Sequence, residues 1–230
     1  MIIIEHQESA DLDRLVSWTP GATVYRPYLG QRLPDILQEP LIVLGGAMNA
    51  YQDQDYSWLP RTRQLLSIAI EKKIPVLGIC LGAQLLSVAA GGGVAIASSA
   101  GTELGLTQIS LTETAAKDPL FCGLPQQIWV ASDHSDGITP LPQDAVLLAK
   151  SARYPQAFRV GPCAWGVQFH PEAGLNRLQQ WIKEDIHLLP GASPEREAEL
   201  IEQARQYWAE VTTAAHQLIT RFVALSTGKS

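Results

Sequence analysis

The stretch Pro75-Val76-Leu77-Gly78-Ile79-Cys80-Leu81-Gly82-Ala83-Gln84-Leu85-Leu86 decides the reading of this chain. Residues 75–79 are apolar and β-branched enough for a buried strand, and residues 82–90 form an apolar, Ala-rich run of helical length. Between them, Gly78-Ile79-Cys80-Leu81-Gly82 sets a cysteine in a Gly-x-nucleophile-x-Gly turn. In a strand–turn–helix context that turn becomes an elbow, with the central side chain raised above the C-terminal edge of a parallel sheet. The flanking positions must be nearly free of side chain, which glycine supplies. The elbow also aims the backbone N–H of Leu81, at the helix N-terminus, toward a carbonyl attacked by Cys80. The alternative is a buried core cysteine, the commonest fate of a lone Cys.

Outward from the elbow, short apolar runs at 2–5, 22–25 and 41–44 predict further strands, and 58–72 predicts a helix with Leu65, Leu66, Ala69 and Ile70 at helical spacing. This β–α–β alternation predicts a parallel sheet covered by helices. From Glu103 onward, runs at 106–111, 128–131, 146–149, 157–160 and 164–169 are close-set and separated by Pro, Gly and Asp. They predict more strands, some of them antiparallel. No linker interrupts the pattern, so one domain is expected. A last helix begins at Ser193, a good N-cap, with Pro194 in the first helical position and Glu195 and Glu197 at the positive end of its dipole. Its apolar stripe (Ile201, Ala204, Trp208, Val211, Ala215, Leu218, Phe222, Leu225) is expected to dock on its own domain, and Gly228 to end the helix.

With 230 residues the chain has room for one α/β domain with a sizeable core. Net charge is −6 without a Lys/Arg cluster, which argues against nucleic acid or an anionic membrane as partner. No apolar run approaches a bilayer span. The start, Met1-Ile2-Ile3-Ile4-Glu5, reads as a strand and not a signal peptide. Cys80, Cys122 and Cys163 cannot all pair and show no metal spacing. A reducing, cytoplasmic compartment is expected. No Gly-rich nucleotide loop appears, and no cofactor or metal is expected.

A nucleophilic cysteine needs a base, and the base an orienter. Of the five histidines, His170 stands out: it ends an expected strand and is followed by Pro171-Glu172. Residues two apart in extended chain share a side, so Glu172 reaches the His170 ring as the third member of a Cys-His-acid triad does. Alone, His-x-Glu reads better as a structural histidine beside a surface acid. Leu44-Gly45-Gly46-Ala47, at the end of an expected strand, leaves N–H groups unobstructed for a second oxyanion donor beside Leu81. An ordinary strand-to-loop turn is the alternative.

Together, Gly-Ile-Cys-Leu-Gly-Ala-Gln, Val-Gln-Phe-His-Pro-Glu and Leu-Gly-Gly-Ala-Met resemble the signatures of class I glutamine amidotransferases, nearest to the glutaminase domain of GMP synthase and its stand-alone relatives. The resemblance runs from Met1 to about Trp181. It implies an α/β, flavodoxin-like fold: a mostly parallel central sheet, helices on both faces and a small antiparallel patch. Taken with the separate pattern of the last helix, it divides the chain into a glutaminase domain, 1–190, and a C-terminal helical extension, 191–230, expected to pack on the same domain. It implies Cys80 as nucleophile, His170 as general base and acid, and Glu172 as orienter. Gly46 and Leu81 donate oxyanion N–H bonds; Gln84 contacts the glutamyl substrate; and the Asp133-His134-Ser135-Asp136 loop holds the substrate's amino-acid end. The implied activity is hydrolysis of glutamine or another γ-glutamyl compound through a Cys thioester, with ammonia passed to an acceptor such as a synthetase partner. A γ-glutamyl peptidase acting on conjugates shares these motifs, and a catalytically idle regulatory module is a third reading. Two departures stand out. Ala47 replaces the proline usual in relatives, which predicts a looser oxyanion loop; Ser135 replaces a glycine, which predicts a more restricted substrate loop.

Overall fold

The computed structural model describes residues 1–227. In chain order the elements are β1 (Ile2–Ile4), α1 (Leu15–Trp18), β2 (Thr23–Tyr25), β3 (Leu41–Val43), α2 (Leu59–Lys72), β4 (Val76–Ile79), α3 (Leu81–Ala89), β5 (Val94–Ala95), β6 (Glu103–Leu111), β7 (Gln127–His134), β8 (Gly137–Ile138), β9 (Val146–Lys150), β10 (Pro155–Val160), β11 (Ala164–Val167), α4 (Leu175–Asp185) and α5 (Pro194–Ser226). One nine-stranded sheet has the order β2-β1-β3-β4-β11-β10-β9-β6-β7, and β5 pairs with β8 in a separate antiparallel ribbon. From β2 through β11 neighbouring strands are parallel. From β11 onward every pairing is antiparallel. The expected architecture holds: a mostly parallel sheet covered on both faces, with an antiparallel continuation.

Strand alternation builds the two faces. Ile2 and Ile4 of β1, with Leu41 and Val43 of β3, pack against Leu65, Leu66, Leu85 and Leu86 of α2 and α3. Ile3, Ile42 and Leu77 point the other way, into a cluster with Leu15 of α1 and Leu218 and Phe222 of α5. A third cluster joins Leu104 and Leu106 of β6 to Trp181 and Ile182 of α4 and Leu200 and Ala204 of α5. The last helix therefore docks on its own chain. Its N-terminus is capped as expected, with Arg196 N–H donating to Ser193 Oγ at 3.2 Å. The expected stop at Gly228 lies outside the described residues. None of the described helices is long and apolar enough to cross a membrane.

β4 lies inside the parallel half, flanked by β3 and β11. The elbow after β4, the loop after β3 and the segment after β11 consequently emerge side by side at one sheet edge.

Candidate active site

The elbow forms as its glycines require. Cys80 adopts φ 50° and ψ −108°, a strained conformation for a residue with a Cβ. A Cβ on Gly82 would lie 2.0 Å from the Val43 carbonyl oxygen, and one on Gly78 2.5 Å from the Gly82 carbonyl oxygen. Both obstacles are backbone, so only glycine lets α3 start this close to the sheet. The Cys80 N–H donates to Val167 O at 2.8 Å, which ties the elbow to β11.

Three residues beyond β11, His170 is anchored by its N–H to the Ala131 carbonyl at 2.8 Å. Its Nδ1 lies 2.7 Å from Glu172 Oε1, and both side chains are buried. A carboxylate accepts, so Nδ1 carries the hydrogen and Nε2 is left for chemistry. Burial opposes a charged ring here, but attraction to Glu172 and to the Cys80 sulfur prevails, and the His170 pKa stands well above the ordinary histidine value. Cys80 Sγ lies 3.9 Å from the Asp133 carbonyl oxygen and 3.6 Å from Gln168 Nε2, which donates to the sulfur.

Cys80, His170, Gly46, Gln84, His134, Ser135 and Asp136 line one cavity of about 410 Å³. Gly45 stands behind them: a Cβ there would come within 2.9 Å of the His170 ring. Leu81 opens α3, so its N–H has no partner within the helix. Glu172 lies behind His170, outside the cavity wall. The sequence-predicted residues therefore converge on one place.

Several of them are already engaged. Gln84 is buried and its Nε2 lies 3.4 Å from both Asp136 O and Gln168 Oε1, so its amide meets a loop as well as the cavity. Ser135 Oγ shares a hydrogen bond of 2.8 Å with Thr102 Oγ1, and Asp136 Oδ1 accepts the Ala97 N–H at 2.8 Å. The added hydroxyl at 135 thus fastens the loop. The looseness predicted from Ala47 is opposed: its N–H, which a proline would lack, donates to Gln7 Oε1 at 2.8 Å.

Other contributors carried no local signal in the sequence. Trp181 of α4 packs on His170 with ring centroids 4.7 Å apart. Arg14 donates to the Pro171 carbonyl at 3.0 Å and to Thr212 Oγ1 of α5 at 3.0 Å, between the Trp18 and Trp208 rings. Asp133, near Asp185, has its carboxyl raised to about 6, chiefly by burial and then by the neighbouring acid. Pairing partners far apart in sequence explain Trp181 and Arg14; Asp133 belongs to the loop that the resemblance already names, and only its neighbour Asp185 lies out of local reach.

An α/β sheet with a strained cysteine elbow facing a buried His–Glu pair defines the class of protein: a cysteine-elbow enzyme of the amidotransferase type. The sequence profile of the family described as Glutamine amidotransferase class-I matches residues 30–188, and the chain belongs to that family. It is 36% identical over 166 residues to GMP synthase [glutamine-hydrolyzing] of Thermomicrobium roseum, covering 71% of this chain and 29% of that protein. Over 145 residues it is 34% identical to the Streptococcus pyogenes GMP synthase, covering 62% and 26%. The matched region thus spans under a third of the length of these relatives. A glutamine amidotransferase of Thermotoga maritima superposes with TM-score 0.81 at 27% identity over 96% of both chains. A glutamine amidotransferase of Methylobacillus flagellatus shares the fold at TM-score 0.84 and 23% identity, over 97% of this chain and 93% of that one.

Proposed function

We propose that the chain hydrolyses the side-chain amide of glutamine. His170 Nε2 takes the Cys80 thiol proton, the sulfur attacks the amide carbon, and the carbonyl oxygen takes up the negative charge against the N–H groups of Gly46 and Leu81. His170 Nε2 gives its proton to the departing nitrogen, and ammonia leaves a γ-glutamyl thioester. His170 then takes a proton from water, whose oxygen attacks the thioester. Glutamate leaves and the thiol regains its proton. Glu172 holds the His170 ring through Nδ1. Gln84, His134, Ser135 and Asp136 contact the glutamyl end. The ammonia passes to a synthetase partner, as the name of the glutamine-hydrolysing relatives suggests. Residues 1–190 form the glutaminase unit, and the C-terminal extension, 191–230, braces it through its described helix.

One observation carries this reading: an elbow cysteine at positive φ shares a cavity with a histidine whose Nδ1 is fixed by a buried glutamate at 2.7 Å. The test is ammonia release from glutamine and from a panel of γ-glutamyl peptides by the chain and by Cys80→Ala. Release from glutamine that disappears in Cys80→Ala supports the reading. Turnover of the peptides and not of glutamine would replace it with a γ-glutamyl hydrolase.

A further inference from the structure

We infer that Glu103, which stands outside the cavity wall, is a positioning residue that sets the substrate loop through His134; this rests on the glutaminase reading above. Glu103 opens β6 and is the cross-strand partner of His134, at the end of β7. Both ring nitrogens of His134 are engaged. Nδ1 lies 3.0 Å from the carbonyl oxygen of Asp136, and Nε2 lies 3.1 Å from Glu103 Oε2. A carbonyl oxygen only accepts, so Nδ1 carries a hydrogen and donates it. One side of the ring thus closes the loop onto its own backbone, and the other is fastened to Glu103.

The anchor is itself anchored. Glu103 Oε2 also accepts from Gln156 Nε2 at 2.6 Å. The Gln156 carbonyl accepts the N–H of Gln168 at 2.9 Å, and Gln168 Nε2 reaches Cys80 Sγ. Glu103, His134 and Gln156 are 8%, 6% and 1% exposed, so water does not replace a lost partner cheaply. Asp136 O, at the loop end of the chain of bonds, also receives Gln84 Nε2. The network therefore fixes the distance between the loop that meets the glutamyl end and the sulfur that attacks it. Removing Glu103 leaves the His134 ring free to turn about its remaining bond and lets the 133–136 loop shift, while the His170–Glu172 pair keeps its own contacts.

The experiment reads binding and thiol chemistry separately. Alkylation of Cys80 by iodoacetamide is followed with increasing L-glutamine, in the unsubstituted chain, Glu103→Ala and Glu103→Gln. In Glu103→Ala the glutamine concentration giving half-protection should rise about tenfold or more, the equivalent of one lost buried hydrogen bond. Its alkylation rate without glutamine should stay within about twofold, since Gln168 Nε2 and the His170–Glu172 pair keep their own contacts. Glu103→Gln, which keeps an acceptor for Gln156, should recover most of the protection. Unchanged half-protection in Glu103→Ala overturns the inference. So does a fall in the glutamine-free rate equal to the loss of protection, which would place Glu103 with the thiol and not the loop. If Glu103→Ala lacks a cooperative melt, Glu103→Asp, one methylene too short to hold the ring, is judged by the same shift. Failure of glutamine to protect the unsubstituted chain at any concentration would instead sink the glutaminase reading underneath.

Discussion

At the scale of single residues, the proposed mechanism separates a proton carrier, His170, from its holder, Glu172. His170→Ala removes the proton shuttle and should lower kcat by about 10²–10⁴-fold. Glu172→Gln keeps a hydrogen-bond acceptor near Nδ1 and should cost less; steady-state kinetics on glutamine would show the order, and near-normal turnover in His170→Ala would refute the assignment. A second consequence concerns pH. The Asp133 carboxyl is raised to about 6 from its ordinary 3.8, by burial first and by Asp185 next. A raised carboxyl favours the folded state below its unfolded value and loses that contribution as pH climbs through about 6. Asp133→Asn stays neutral, so its stability should fall less between pH 4 and pH 7 than the parent's, by up to about 3 kcal/mol. Thermal melts across that range would show it; parallel curves would contradict it. Cys80, His170 and Glu172 were legible in the sequence because glycine flanks the first and the other two are near neighbours. Trp181 and Glu103 were not, because their partners lie in other elements.

At the scale of elements, the site depends on how closely α3 approaches β3 and on how the loop after β3 is held. Gly82→Ala puts a methyl group into the Val43 carbonyl and should destabilise the fold by about 1–3 kcal/mol or more, read as a lowered denaturation midpoint. An unchanged midpoint would mean that the elbow relaxes freely. Gln7→Ala frees the Ala47 N–H and loosens the Gly45-Gly46 loop. If Gly46 is an oxyanion donor, kcat should fall while KM moves little, because the donor acts on the transition state more than on the substrate. Equal kcat in Gln7→Ala would show that the loop holds itself. The β–α–β half was legible from apolar runs alone. The role of Arg14, which ties α5 to the His170-Pro171-Glu172 turn, was not: its contacts reach residues 158 and 198 positions away, beyond any local pattern.

At the scale of the whole molecule, parallel strand order brings three separate chain segments to one edge, where the proposed reaction centre lies. Sequence order shows the segments, and only the sheet order β3-β4-β11 shows that they are neighbours. The fold class was readable because each strand–helix unit carries its own periodicity. The buried Glu103–His134–Gln156 network was unreadable, since polar residues on strands give no sign of which face they occupy until register is known. The Ser135 and Ala47 departures, read from sequence as changes in loop freedom, turn out to be hydrogen-bonded in place by Thr102 and Gln7. The central claim is that Cys80 forms a γ-glutamyl thioester in this cavity. The most direct measurement is intact-protein and peptide mass spectrometry after treatment with a glutamine-derived electrophile, alongside ammonia release. The account predicts one adduct, on Cys80, with loss of ammonia release in step with labelling. An adduct on Cys122 or Cys163, or ammonia release that persists with Cys80 fully labelled, would contradict it.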